Sequence, residues 1–527
     1  MNIYFLTITS GFLMALSLTF DFLWPLAWIG LTPYLYIVFN YSLSKKESLK
    51  VGFLYGTTYY LVLLHWLFEL YPLDNYGFNK IQSILLLFSG WIFISIYEGL
   101  WLSLVPLIFS RIKINPKINI FSFGAIWIIV EWGQQLGLLG FSWGRLAISQ
   151  GKIPLLIQSA SLLGSLLISF FIVSVNSCIT YIFIYRKNIL NIRSVYISLS
   201  SMIIFNIAYG SFNLNKNSDA SKLTFAIIQG NISSSKKWTS DLEGIFKKYK
   251  DLSYEALNNA KGIYDKIDFI LWPETAIPVT LNNNEKILKE YKFLASTSSA
   301  ELIVGAYHEE GDNSYNSIYN ISPSGKLSAP YFKRHLVPFG EYLPFENILS
   351  KLIPSLKQIN LFSSNLTAGH KVNLLSSSHG KLGGLICFES TFPHLARCTT
   401  ISGARILLLV TNDSWFKDSK AINQHLKQAV LRAVENNRYV IRSANTGISA
   451  CITNKGIILS SIPPLQSGYI IGMADLIDDT SFYLYFGDII VFISIFFTFF
   501  LYIYTSKSYK LFITDIFNRY SKIKKKK

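Results

Sequence analysis

The chain has 527 residues, past the length at which one core usually divides, and is 51% hydrophobic but only 15% charged. Soluble proteins carry about 25% charged residues, so a wholly soluble protein is excluded and a bilayer must be the solvent for part of the chain. The net charge of +17 does not point to nucleic acid. The basic residues are scattered between apolar runs and end in a cluster at Lys522 and Lys524–Lys527, as topology signals and contacts to anionic lipid do.

Apolar stretches of spanning length fall at about 3–20, 23–42, 51–72, 82–109, 119–139, 154–185, 194–211 and 482–504. The first is not read as a cleaved signal peptide, because it has no basic leader or small-residue cleavage site and runs into another span. Short loops bearing Lys45, Lys46 and Lys50, then Arg111, Lys113 and Lys117, then Arg186, Lys187 and Arg193 alternate with loops poorer in basic residues. By the positive-inside bias both termini are cytoplasmic and the long insert lies on the far side. This divides the chain into a seven-span membrane domain (1–211), an extramembrane domain (212–481), a final span (482–504) and a basic tail (505–527).

Glu98 and Glu131 fall in or beside spans; an intramembrane carboxylate is a functional candidate, and a helix–helix hydrogen bond is the plainer reading. In the outer loop Gly140–Arg145, Trp143 reads as an interfacial aromatic and Arg145 as a candidate holder of a lipid phosphate.

From 222 to 473 the pattern changes to short β-branched runs alternating with amphipathic segments. Strands are expected at Leu223–Gln229, Asp268–Trp272, Leu302–Tyr307, Ser317–Ser322, Leu382–Ile386, Ile406–Thr411, Tyr439–Ser443 and Ile448–Thr453. Helices are expected at about 240–260, 284–299 and 421–436, the last with Leu426, Val430, Ala433 and Val434 as its apolar face. Strands alternating with helices imply a layered α/β domain. The stretch 339–380 fits neither pattern and reads as a long loop or mobile arm.

Three strand ends carry chemistry. Glu274 follows an apolar strand stopped by Pro273, Lys333 and Glu341 share one segment, and Cys387 stands where an apolar strand meets a polar turn. Singly, each reads as ordinary core or surface. Together they make a thiol nucleophile, a carboxylate to move its proton and an ammonium to stabilise an oxyanion. The four cysteines, Cys178, Cys387, Cys398 and Cys451, show no metal-ligand spacing, and neither a metal nor a cofactor is expected.

Gln229-Gly-Asn231, Trp272-Pro-Glu274, Lys333-x-His-Leu-Val-Pro-Phe-Gly-Glu341, Cys387-Phe-Glu389, Asn412-Asp-Ser-Trp415-Phe, Gln424-His425 and Asn445-Thr-Gly447 occur in this order. With Trp24-Pro25 and Gly140-Phe-x-Trp143 in the apolar part, they make the chain resemble the nitrilase (carbon-nitrogen hydrolase) superfamily and, within it, the bacterial apolipoprotein N-acyltransferases. The resemblance implies an α-helical polytopic membrane domain of about eight helices carrying an α-β-β-α sandwich on the outer face of the inner membrane. It implies Glu274 as general base, Lys333 as oxyanion stabiliser and Cys387 as nucleophile, supported by Glu341, Glu389, Trp238 and Phe388, with Trp415 beside Trp143 and Arg145 as possible lipid contacts. Phe388 stands where a tyrosine is common, Lys417 where a glycine is usual, and Ser142 replaces a proline. The implied reaction takes the sn-1 acyl chain of a phospholipid, phosphatidylethanolamine being the expected donor. A Cys387 thioester passes it to the α-amino group of a diacylglyceryl-cysteine on an apolipoprotein. A membrane-tethered amidase or hydrolase using water is the alternative. A transporter with an external binding domain would need inverted repeats or broken helices, which the spans do not show.

Overall fold

The computed structural model describes residues 2–74, 77–186, 189–216, 220–233, 237, 241–346, 351 and 366–506. Trp238, Lys187, the centre of the 339–380 stretch and the terminal lysine cluster lie outside the described residues.

The apolar part is helical. Asp21–Asn40, Lys80–Ile112, Ser165–Ile184 and Arg193–Leu214 are long and apolar enough to cross a membrane, while Ile3–Thr19, Pro154–Leu163 and Ile489–Thr505 are shorter apolar segments. Helices Lys45–Leu63 and Pro116–Gly133 complete the set, and the first of these carries Lys45, Lys46, Glu47 and Lys50 in its opening turns. About eight spans therefore fit only roughly. The stretch expected as one span at 154–185 is broken, because Gly164 adopts φ +77° and separates two short helical turns from Ser165–Ile184. The span expected at 23–42 starts as a 3-10 helix holding Pro25 and becomes α-helical only at Thr32.

The β part forms two six-stranded sheets. The strands are β1 (Ser221–Gln229), β2 (Phe269–Leu271), β3 (Glu301–Glu310), β4 (Asn313–Ile321), β5 (Tyr331–Phe332), β6 (Leu375–Ser377), β7 (Gly380–Ile386), β8 (Leu407–Thr411), β9 (Val440–Ala444), β10 (Ser449–Ile452), β11 (Ile458–Ile462) and β12 (Gly468–Leu476). One sheet runs β12-β1-β2-β3-β4-β5 and the other β11-β10-β9-β8-β7-β6. The central strands are parallel, β1 to β2 to β3 and β7 to β8 to β9.

The alternation of side chains along each strand explains the layers. In β1, Leu223, Phe225 and Ile227 meet Leu382, Ile386, Leu408 and Val410 of the other sheet. Ala226 and Ile228 point the other way, toward the helices Leu242–Ala260 and Glu285–Ser298. The outer face of the second sheet, with Leu385, Leu407 and Leu409, is covered by Pro393–Ile401 and Ala421–Asn436. The architecture is an α-β-β-α sandwich.

Helix Ala421–Asn436 departs from its amphipathic pattern in one respect: its polar side is buried too. It faces the apolar helices instead of water. Lys427 bonds the Leu18 carbonyl (3.1 Å) and pairs with Asp21 (2.9 Å). Glu435 pairs with Arg432 (2.7 Å) and accepts from the Ser165 N–H (2.8 Å). Buried charges survive only when paired and hydrogen-bonded, and here the partners come partly from the helical part. Glu98 accepts from Gln134 at the end of a neighbouring helix (2.6 Å), whereas Glu131 accepts from Trp127 of its own helix (3.1 Å) and from the Leu146 N–H (2.9 Å).

Candidate active site

Glu274, Lys333, Cys387 and Asp413 all sit just past strand ends, those of β2, β5, β7 and β8. In parallel sheets the carboxyl ends of strands leave a crevice where ligands bind.

Glu274 is placed by a close approach. Gly305 of β3 lies under the turn after Trp272, and a Cβ there would stand 2.6 Å from the Thr275 nitrogen and 2.7 Å from the Glu274 Cα. The carboxylate accepts from Asn316 Nδ2 (2.8 Å) at one oxygen and from the Asn412 N–H (2.8 Å) at the other. Its backbone carbonyl accepts from the Lys237 ammonium (3.0 Å). Burial, only partly offset by Glu274 and Cys387, pulls Lys237 down to about 8. Nothing in the sequence singles out Lys237, one of two adjacent lysines.

Lys333 is buried, 2.8 Å from Glu341 and 3.6 Å from Glu274. Burial works against its charge, but Glu341, then Glu274 and Cys387, outweigh it and hold the ammonium above the ordinary lysine range. Glu341 is fixed in turn by the Val337 N–H (2.8 Å) and Asn316 (3.2 Å).

Cys387 is half-buried, with a backbone φ of +51° at the junction of β7 and a 3-10 turn, Cys387–Thr391. A left-handed conformation is costly for a non-glycine residue and clusters at functional sites. Burial and then Glu274 push the thiol above the ordinary cysteine range, against the pull of Lys333. Burial and Glu274 thus favour the protonated form of this sulfur. All four cysteines are free; Cys178 and Cys451 are buried and Cys398 is exposed.

Glu389 is completely buried and braces the turn. It accepts from Tyr331 (2.8 Å) and from the Ile386 (2.7 Å) and Arg334 (2.6 Å) N–H groups. Phe388 packs on Phe392, His335 and Phe141. The outer-loop residues are not at a lipid-facing surface. Trp143 is buried and donates to Gln424 (2.7 Å), and Arg145, also buried, bonds Ser165 (2.9 Å) and Gln135 (3.3 Å). Trp415 is exposed at the 3-10 turn Ser414–Phe416.

Ligand-type atoms of Cys387, Asp413 and His425 lie within 4.8 Å of one another. The Arg442 guanidinium touches both Asp413 (2.6 Å) and His425 (3.2 Å), so this cluster already holds a cation and reads as a hydrogen-bond network, not a metal centre. In the sequence, Asp413 and His425 stand out only within the matching phrases and Arg442 does not stand out at all.

The comparisons agree with this geometry. Residues 224–479 match the carbon-nitrogen hydrolase family and residues 10–178 the apolipoprotein N-acyltransferase N-terminal domain. An apolipoprotein N-acyltransferase of Geobacter metallireducens is 30% identical over 494 residues, covering 92% of each chain. Proteins of that name from Treponema denticola (28% over 511 residues, 88% of each chain) and Rhizobium rhizogenes (31% over 436 residues, 80% of this chain and 78% of the relative) are also similar. With both halves of the chain matched in order, it belongs to the apolipoprotein N-acyltransferase family, a group of membrane enzymes with a carbon-nitrogen hydrolase catalytic domain.

Proposed function

We propose that the protein moves the sn-1 acyl chain of a phospholipid, phosphatidylethanolamine being the expected donor, to the α-amino group of a diacylglyceryl-cysteine at the N-terminus of an apolipoprotein. The observation that carries this reading is the joining of a thiol, a carboxylate and a buried ammonium around Cys387 in a domain docked on apolar helices. Glu274 takes the Cys387 proton as sulfur attacks the ester carbonyl, and Lys333 stabilises the oxyanion. Collapse of the tetrahedral intermediate breaks the C–O bond, and Glu274 returns the proton to the departing lysophospholipid oxygen. In the second half, Glu274 takes a proton from the attacking amine, the amide bond forms, and the thiolate leaves and is reprotonated. Glu341 anchors Lys333, and Glu389 holds the turn that carries the nucleophile. By the resemblance Trp238 and Phe388 support the active site and Trp415 is a possible lipid contact; burial of Trp143 and Arg145 favours a supporting role for both.

The bacterial inner membrane is the site of action, with both termini cytoplasmic and the catalytic domain periplasmic. The alternating lysine and arginine loops support this orientation. Two membrane-held substrates would then meet a membrane-held enzyme at high effective concentration.

The test gives detergent-solubilised protein a phospholipid labelled in its sn-1 chain. Without acceptor, a hydroxylamine-sensitive label should accumulate on Cys387, and a diacylated lipopeptide should discharge it as a triacylated product. Label on Cys398 or Cys451, or turnover surviving in Cys387→Ala, overturns the mechanism.

A further inference from the structure

His425 stands directly behind the nucleophile. Its Nε2 is 3.1 Å from the Cys387 carbonyl oxygen and 3.0 Å from Ser390 Oγ, while the Ser390 hydroxyl donates to the same carbonyl (2.9 Å). A carbonyl and a carboxylate only accept, so the Nε2 contact with Cys387 and the Nδ1 contact with Asp413 fit a ring that donates from both nitrogens.

The ring is held from the other sides as well. Nδ1 lies 2.9 Å from Asp413 Oδ1, which also accepts from Thr411 (2.7 Å), and Arg442 donates to Asp413 Oδ2 (2.6 Å). Burial alone would raise the Asp413 carboxyl, but Arg442 and His425 outweigh it and hold the group well below the usual carboxylate range. It is thus a fixed anion. The Trp143 ring lies 5.7 Å from the imidazole and Phe416 6.1 Å from it. Trp143 belongs to the outer loop of the helical part, whose Ser142 donates to the Thr391 carbonyl (2.7 Å) at the end of the Cys387 turn.

We propose that His425 is a positioning residue for the nucleophile: by donating from Nε2 to the Cys387 carbonyl, it holds the left-handed backbone that keeps the thiol aimed at Glu274 and Lys333. Asp413 and Arg442 fix the ring from one side and Trp143 from the other, so the outer loop reaches the nucleophile through this imidazole. A peptide free to leave the φ +51° conformation would swing the sulfur away. This inference rests on Cys387 being the acylated residue.

The experiment compares His425→Gln with His425→Asn in the full-length protein. Glutamine can place an N–H where Nε2 stands; asparagine places one near Nδ1 and leaves the carbonyl unheld. Single-turnover acylation by labelled phospholipid is measured per titratable thiol, with thermal unfolding followed in parallel. His425→Gln should stay within a few-fold of wild type. His425→Asn should acylate about 10²-fold more slowly, the loss expected for misplacing a reacting atom by about 1 Å, with the half-saturating phospholipid concentration unchanged. A merely structural role would lower the unfolding temperature of both variants and leave the rate per folded site alone. Equal rates in the two variants, or a wild-type rate in His425→Asn, overturn the proposal. A Cys387→Ala arm separates the failures: label persisting there defeats the underlying mechanism, whereas label lost there with normal His425→Asn kinetics defeats only this inference.

Discussion

Lys333 stands closer to Glu341 than to Glu274, 2.8 Å against 3.6 Å. The nearer carboxylate is tied to the Val337 N–H and anchors the ammonium. Glu274, positioned by Asn316 and the Asn412 N–H, is the proton carrier in the proposed mechanism. Glu341→Gln should keep the fold but let Lys333 drift from the oxyanion. Single-turnover acylation should fall by up to about 10²–10³-fold, the range for losing one oxyanion donor. Glu341→Asp should recover part of the loss.

The thiol reports the two charges beside it with opposite signs. Burial and the Glu274 carboxylate raise Cys387, and Lys333 lowers it. Alkylation by iodoacetamide, which needs the thiolate, should therefore still be climbing above pH 9 in a Cys398→Ala background. Glu274→Gln removes a raising charge and should move this profile to lower pH while abolishing acyl transfer. Lys333→Ala should move it to higher pH. An unmoved profile in Glu274→Gln would show that the carboxylate does not act on the thiol.

Gly305→Ala tests how Glu274 is placed. The added methyl would meet backbone atoms at 2.6 and 2.7 Å, which cannot rotate aside as a flexible side chain could. The turn carrying Glu274 has to shift. Activity should fall by about 10²-fold or more for a displacement near 1 Å, while the helical part melts as in wild type.

The Lys427–Asp21 pair at the junction should respond asymmetrically. Lys427 is 1% exposed, whereas Asp21 is about one-third exposed and also pairs with Lys152 (2.6 Å). Burial pulls Lys427 below the ordinary lysine range, against the support of Asp21. Asp21→Ala takes the carboxylate from the buried Lys427 ammonium and should cost up to about 3 kcal/mol, less than for a fully buried pair because water screens Asp21. Lys427→Met leaves Asp21 with Lys152 and should cost much less. Thermal unfolding of the two variants checks the order.

The sandwich was legible wherever a strand is buried on both faces. The β-branched runs at 223–229, 302–307 and 406–411 lie within one residue of β1, β3 and β8 or inside them. The strands that escaped notice are edge strands or very short. β12 alternates buried and half-exposed residues, β11 carries three serines or exposed positions, and β5 has two residues. Glu274, Lys333 and Cys387 were visible because each follows an apolar run into polar sequence. Asp413, His425 and Arg442 were not, since a buried hydrogen-bond network leaves no periodicity. Asp413 follows β8, Arg442 lies on β9 beside it, and His425 comes from the helix between these strands, so only the fold brings them together. The loop Gly140–Arg145 is hard to read for a related reason: an arginine near an apolar span looks interfacial, and only the fold brings Ser165 and Gln135 to it.

The helix Ala421–Asn436, buried except at Asn423, also bears on what can be cut from this protein. A fragment excised to begin at Ser221 would open one flank of that helix to water. Lys427 would lose Asp21 and the Leu18 carbonyl, Gln424 would lose Trp143, and Glu435 would lose the Ser165 N–H. Leu426, Val430 and their neighbours would exchange membrane-side packing for solvent. Such a fragment would expose an apolar patch of the kind that drives aggregation, and the support for Cys387 that arrives through Ser142 and Trp143 would be gone. The hydrolase-like half is thus not a detachable enzyme on a tether, and liberating it as a soluble catalyst would require redesigning that flank residue by residue.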